Sequence, residues 1–309
     1  MTAFREPHRR LPTGEAIFLD HVGHFVRDAQ AASHALERCG FAPTPVSVQV
    51  NPDPAGGTRP TGTGNVTAML QRGYLEVLFK TSDTELSREF EASIAQHAGV
   101  HLAAFAVADA AAAHRRLAES FRMRPLVSMQ RPAETPTGTA TAAFTLARVE
   151  RGVMPEGRIQ ILTHHTEDVV WQDRWLKHPN TAVGLIDVAI AVGDIAEAAA
   201  RFSRFTGRAA VPTKSRRGVY IALDRGGINL VAHSALAEVL PEVAIAKPPF
   251  IVGYALVVES LAAVERIVED ADLEWRALDD GIVAAFPAEL GEGAWFFVEN
   301  PAALPWRPE

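Results

Sequence analysis

Four residues of this chain carry donor atoms suited to a small metal or acid–base site, and they occupy corresponding places in strand-like runs. They are His21 in "LDHVGHFV", Glu76 in "GYLEVL", His101 in "GVHLAAF" and Gln160 in "GRIQILTHH". Aligning the runs that open each segment puts His21, His101, Asp187 and Tyr254 in one slot. Aligning the runs that close them puts Glu76, Gln160, Asn229 and Phe296 in a second slot. Two imidazoles and a carboxylate suit Fe, Mn, Co, Ni or Zn, with positions left open for water or substrate. The amide oxygen of Gln160 would add a weaker fourth contact. The competing reading is a metal-free pocket in which the same groups hydrogen-bond each other and ordered water. His24 points to the opposite face of its strand from His21, which suits a packing or hydrogen-bonded histidine. His164 and His165 are adjacent, so their side chains diverge and cannot comfortably share one ion. His164 is retained as an acid–base or substrate-binding group at the cavity mouth, against the alternative that the pair ties down a connector.

These residues need a scaffold that brings distant strands together, and the chain supplies it by repetition. Four segments begin with a run of small and branched apolar residues, followed by Asp28, Asp109, Asp194 or Ser260 at a helix N-cap and then an Ala-rich amphipathic helix. Gly40 and Gly207 stand where the first and third helices should end. Each segment closes with a strand pair, as in "TGTGNVTAML…GYLEVLF" and "TGTATAAFTL…GRIQILT". The pattern predicts an α+β fold of four βαβββ modules starting near residues 16, 99, 183 and 250. One module exposes an apolar sheet face, so the modules pair into two cupped, open barrels with helices outside. The expected division is an N-terminal pair over residues 1–165, a connector over 166–182 and a C-terminal pair over 183–309.

The loops carry three further candidates. Asn65 ends "TGTGN", whose glycines lead into a strand, so it reads as a residue facing substrate beneath a loop and not as a phosphate cradle. "RVERGVMPEGR" is longer than its counterpart in the first module, and makes Arg151 or Arg158 a candidate carboxylate binder unless the loop is simply solvated. The second pair, with Asp187, Asn229, Tyr254 and Phe296 in its slots, reads as a degenerate copy serving stability, homodimerisation or a lid.

Bulk composition narrows the partners. A net charge of −7 removes any basic field for nucleic acid or anionic membrane. No apolar run approaches membrane-spanning length, and "MTAFREPHRRLP" lacks a leader's apolar core, so a cytoplasmic protein acting on a small molecule is expected. The single Cys39 excludes an intrachain disulfide and a thiolate metal site, and its place at a helix end suits buried filler.

The repeated βαβββ units, with His21 and His101 on opening strands and Glu76 on a closing strand, resemble the vicinal oxygen chelate superfamily. "TGTGN", "GYLEVL" and "MPEGRIQILTHHTEDVVWQDRWLKHPN" are more narrowly similar to glyoxalase-like domain proteins, over residues 16 to 300. The resemblance implies a divalent metal held by His21, Glu76 and His101, chelating two adjacent oxygens of a small substrate for lyase, isomerase or dioxygenase chemistry. It places Gln160 where such proteins usually carry a glutamate that also serves as proton shuttle. A neutral amide cannot do that, which argues against glyoxalase I activity and leaves Glu76 as the catalytic candidate beside Gln160. Bleomycin-binding relatives imply the alternative, a metal-free binding or sequestration protein.

Overall fold

The computed structural model describes residues 10–53, 55–243 and 247–308, so most of the opening stretch discussed above lies outside the described residues. The first module comprises Ile17–Val26 (β1), a helix Ala29–Arg38, Ser47–Pro52 (β2), Thr58–Met69 (β3) and Tyr74–Lys80 (β4). The second, after a helix Glu85–Ile94, comprises Gly99–Val107 (β5), a helix Ala110–Ala118, Val127–Thr135 (β6), Gly138–Arg148 (β7) and Arg158–His164 (β8). The third comprises Ala182–Val192 (β9), a helix Ile195–Thr206, Ala210–Pro212 (β10), Gly218–Ala222 (β11) and Gly227–Ala232 (β12). The fourth comprises Phe250–Val258 (β13), a helix Leu261–Asp270, Trp275–Leu278 (β14), Gly281–Ala285 (β15) and Ala294–Val298 (β16). Side chains of Asp28, Asp109, Asp194 and Ser260 each accept backbone N–H groups at the start of the helix they precede. That satisfies donors which the helix itself leaves open.

Opening strands pair across modules. β1 runs antiparallel to β5, with β4 parallel to β1 and β8 parallel to β5. β9 and β13 pair in the same way, flanked by β12 and β16. Ile251 opposite Val100 carries the sheet from one half to the other, and isolated bridges at Phe18–Arg225, Arg72–Gly184 and Gly99–Glu292 also join the halves. Both central pairings are interrupted at matching places. The register skips Asp20 in β1 and His101 in β5, and it skips Val252 in β13 and Ile186 in β9. An extra residue in an antiparallel pair is a β-bulge, which bends the strand and re-aims the side chains beside it.

The bulges fix the alignment of the modules. Asp28 and Asp109 lie 81 residues apart, as do the bulge residues Asp20 and His101. The twin of His21 is therefore Leu102, not His101. In the fourth module the twin is Gly253, and Tyr254 falls on the opposite face, where its hydroxyl meets His24 and Trp295. The alignment expected from sequence was one residue out at both places, and a one-residue slip on a strand reverses the face.

Each cup has its own apolar cluster, and a third, larger cluster joins the outer faces of both halves with their helices. His24 is buried in that shared region. It bonds the Leu290 carbonyl through Nδ1 at 2.9 Å and the Tyr254 hydroxyl through Nε2 at 3.0 Å. Cys39 is buried, and burial pushes its thiol up to about 12. Among the described residues no helix is long and apolar enough to cross a membrane.

In the C-terminal cup, Trp306 and Arg307 reach back to the slot residue Asp187. Asp187, fully buried, accepts hydrogen bonds from Tyr220 Oη at 3.0 Å, Trp306 Nε1 at 2.8 Å and Arg307 Nε and Nη2 at 2.9 and 2.8 Å. Trp306 also packs edge-on against Phe296. Removing one member of such a pair leaves a buried charge uncompensated. Arg307→Ala is accordingly expected to lower stability by roughly 2 kcal/mol, read as a shifted denaturation midpoint at unchanged slope.

Burial lowers the His24 imidazole from 6.5 to about 4. The unfolded chain then binds a proton that the folded chain refuses as pH falls below 6.5, so stability is lost towards pH 4. The loss from this group amounts to about 3 kcal/mol. In His24→Gln the slope of unfolding free energy against pH over that window is expected to flatten by up to about one proton. An unchanged slope would show that His24 is not the group responsible.

Candidate active site

The N-terminal cup holds an open cavity of about 140 Å³. His21, Asn65, Glu76, Arg158 and Gln160 all line it. The register explains their convergence: His21 lies opposite Tyr74, with Gly23 opposite Glu76 one pleat further along. In the paired module Leu102 lies opposite Arg158 and Ala104 opposite Gln160. These positions share the concave face because side chains two apart on a strand point the same way.

The bulge at Asp20 supplies a residue that the sequence did not single out. Its carboxylate accepts from His21 Nδ1 at 2.7 Å and from His164 Nε2 at 3.0 Å. Burial pushes the Asp20 carboxyl upward, but ionic and hydrogen-bonding contact with His164 and His21 prevails and holds it far below the usual range. An ionised Asp20 orients the His21 ring through Nδ1 and leaves Nε2 turned towards Glu76. That Nε2 lies 3.6 Å from Glu76 Oε2. Glu76 Oε1 in turn accepts from Asn65 Nδ2 at 2.6 Å. Tyr74 stacks on the His21 ring at 4.3 Å between centroids and fixes its plane. Burial, reinforced by Asp20 and Glu76, drives the Tyr74 phenol well above its ordinary value, so it stays protonated.

Three guanidinium groups, those of Arg131, Arg148 and Arg158, line the same cavity. Arg131 reaches Ser47 Oγ at 3.2 Å and Asn65 Oδ1 at 3.4 Å. Arg148 Nε donates to Gln160 Oε1 at 2.9 Å. Arg158 lies over the Phe25 and Phe90 rings, and burial beside Arg148 brings it down to about 9. The remaining wall is apolar, from residues such as Leu78, Leu102, Met129 and Phe144.

Two expected site residues lie elsewhere. His101, in its bulge, faces a neighbouring cavity of about 330 Å³, where it packs on Phe25 and His97 and bonds the His97 carbonyl at 2.8 Å. Burial holds its imidazole near 3 and therefore uncharged at neutral pH. His164 sits behind Asp20, buried between Phe144 and Trp171, not at a cavity mouth. The sequence offered a signal for Asp20, a carboxylate inside a buried strand next to histidine. It offered none for Arg131 and Arg148, because the alternation of an edge hairpin does not say which face meets the cup.

The donor set does not fit the expected metal. Among the described residues no cluster of three or more His, Cys, Asp or Glu is arranged to hold an ion. His21 and Glu76 are the two strong donors present. The Gln160 oxygen is engaged by Arg148, and three guanidinium groups oppose a further cation. The ligand set His21, Glu76, His101 and Gln160 is not assembled, because the bulge removes His101.

The modules, their pairing and the open cup define a protein of the vicinal oxygen chelate fold. A sequence profile described as the Glyoxalase-like domain matches residues 19–206, and the chain belongs to that family. No curated protein matches the sequence. Among solved structures, a hypothetical protein from Staphylococcus aureus superposes with a TM-score of 0.60 at 9% identity, covering 91% of this chain and 98% of that one. A variant of 4-hydroxymandelate synthase from Streptomyces coelicolor gives 0.55 at 12% identity, covering 95% and 94%. The Mn(II)-bound glyoxalase from Novosphingobium aromaticivorans gives 0.50 at 12% identity, covering 91% and 81%. At these identities the likeness is one of fold.

Protein purified without chelator is expected to contain substoichiometric Mn, Fe, Co, Ni and Zn, and its melting temperature is expected to be unmoved by EDTA. A resident ion would stabilise the native state by mass action, so a stoichiometric ion lost together with stability in His21→Ala would overturn the assignment.

Proposed function

We propose that the N-terminal cup is the active site of a glyoxalase-like enzyme that binds a small oxygen-bearing anion and moves a proton on it. One observation carries this reading. His21 Nε2, oriented by Asp20, lies 3.6 Å from Glu76 in a cavity that three guanidinium groups also line. An imidazole nitrogen and a carboxylate so placed suit a substrate that presents an acidic C–H to them. A 2-hydroxy or 2-oxo acid supplies one, with its carboxylate turned to Arg131 and Arg148, where charge-assisted bonds are strongest. In this scheme His21 takes the proton from C3 of a 2-oxo acid, or from the hydroxyl-bearing C2 of a 2-hydroxy acid, and returns it to a carbon or oxygen of the enolate that results. Asp20 balances the imidazolium in between, and the arginines stabilise the enolate charge. Gln160 contributes by holding Arg148. Asn65 anchors Glu76, so its role is positioning. The reaction type is that of an isomerase or lyase.

The apolar half of the wall favours a second reading, sequestration of a small apolar molecule without chemistry. One experiment separates the two. Small 2-hydroxy and 2-oxo acids are incubated with the protein in D₂O, and loss of the proton adjacent to the oxygen-bearing group is followed by NMR. The wild type is expected to exchange at least one acid of the panel. His21→Gln is expected to slow exchange about 100-fold or more, and Arg148→Gln chiefly to weaken binding. Binding without exchange supports sequestration; exchange that survives in His21→Gln overturns the assignment of the base.

A further inference from the structure

Beside the cup, and sharing Arg148 and Arg158 with it, lies the larger cavity of about 330 Å³. Its charge balance is uneven. Arg124 Nη2 and Arg158 Nη2 both donate to Glu89, at 2.9 Å to Oε1 and 3.3 Å to Oε2, so one carboxylate serves two guanidinium groups. Arg148 adds a third cation, whose Nε has a neutral amide as its acceptor. Two other carboxylates on the wall are directed elsewhere. Glu156 is locked by Arg201 in a buried two-pronged pair at 2.8 and 2.7 Å, and Glu150 lies 3.4 Å from Arg122. Half-buried cations in excess of their counter-ions favour an anion that joins them. Burial and mutual repulsion lower both Arg148 and Arg158.

A second observation points to a ligand as well. His97 lines the same cavity, and its Nε2 is buried with no hydrogen-bond partner. Buried polar atoms are normally paired. Burial lowers this imidazole from its ordinary value, and a ligand oxygen in the cavity would complete the open contact at Nε2.

We infer that the larger cavity is a second anion subsite, and that the substrate is a dicarboxylic acid. One carboxylate lies in the cup against Arg131 and Arg148, and the other lies beyond Arg158 against Arg124. This rests on the reading of the cup as an anion-binding site and extends it. Arg148 and Arg158 stand at the boundary of the two spaces, so a short chain spanning them meets a guanidinium at each end. The Phe25 ring beneath Arg158, on the wall of the larger cavity, suits the methylenes between.

Titration calorimetry with glutarate and adipate, against butyrate and valerate, tests the inference. A dicarboxylate is expected to bind about tenfold more tightly than the monocarboxylate of similar length. Arg124→Gln, which touches the larger cavity alone, is expected to erase that advantage while monocarboxylate affinity stays within about twofold. Glu89→Gln removes the competing carboxylate and is expected to increase the advantage. These opposite shifts could not both follow from damaged folding, and near-wild-type melting curves for the two variants check it directly. Equal binding of mono- and dicarboxylates by the wild type, or an advantage that survives in Arg124→Gln, overturns the second subsite and leaves the cup reading intact. Failure of every acid to bind overturns both.

Discussion

The site depends on how β1 meets β5. Two flat antiparallel strands would alternate strictly, and Asp20 would point away from His21 into the helix-covered face. The extra residue at Asp20 breaks that alternation, so a carboxylate and an imidazole that are neighbours in sequence bond at 2.7 Å. The same irregularity in β5 turns His101 to a different cavity. A single backbone device thus makes one half of the cup reactive and empties the other half of its expected ligand. Bulges are often found beside active sites for this reason.

Electrostatics complete what the backbone begins. Asp20 is buried and ionised because two imidazoles share it. Glu76 is held by an amide, and guanidinium groups and apolar side chains line the same cavity. Charges of both signs kept apart in a poorly solvated cleft act on a ligand more strongly than they would in water. The C-terminal cup shows the contrasting outcome. Its slot residue Asp187 is satisfied by Trp306, Tyr220 and Arg307 of the same chain, so its polar group serves stability.

Much of this was legible in the sequence. The four N-caps and the modules they open can be read from Asp28, Asp109, Asp194 and Ser260, because capping is a local interaction encoded within a few residues. The places of His21, Glu76 and Gln160 on strands could be read from the repeat, whereas Asn65 and Arg158, read as loop residues, lie in β3 and at the start of β8. What failed was non-local. His21 and His101 attract each other in an alignment because they are the same residue type, yet the caps already put Leu102 opposite that slot. Bulges leave no clear sequence signature, and the facing of Arg131 and Arg148 depends on how an edge hairpin curls over its partner module. The metal set was lost at that step.

The apolar cluster that joins both halves has a consequence of its own. Opening strands, helices and the His24–Tyr254 contact tie the halves into one body, with no hydrophobic seam along which one half could melt first. Cooperative units of this kind spread a local gain over the whole. Free energy released by a ligand in the N-terminal cup would therefore slow amide exchange in β9 and β13, strands it never touches. Exchange in the C-terminal half would then report on the occupancy of the other.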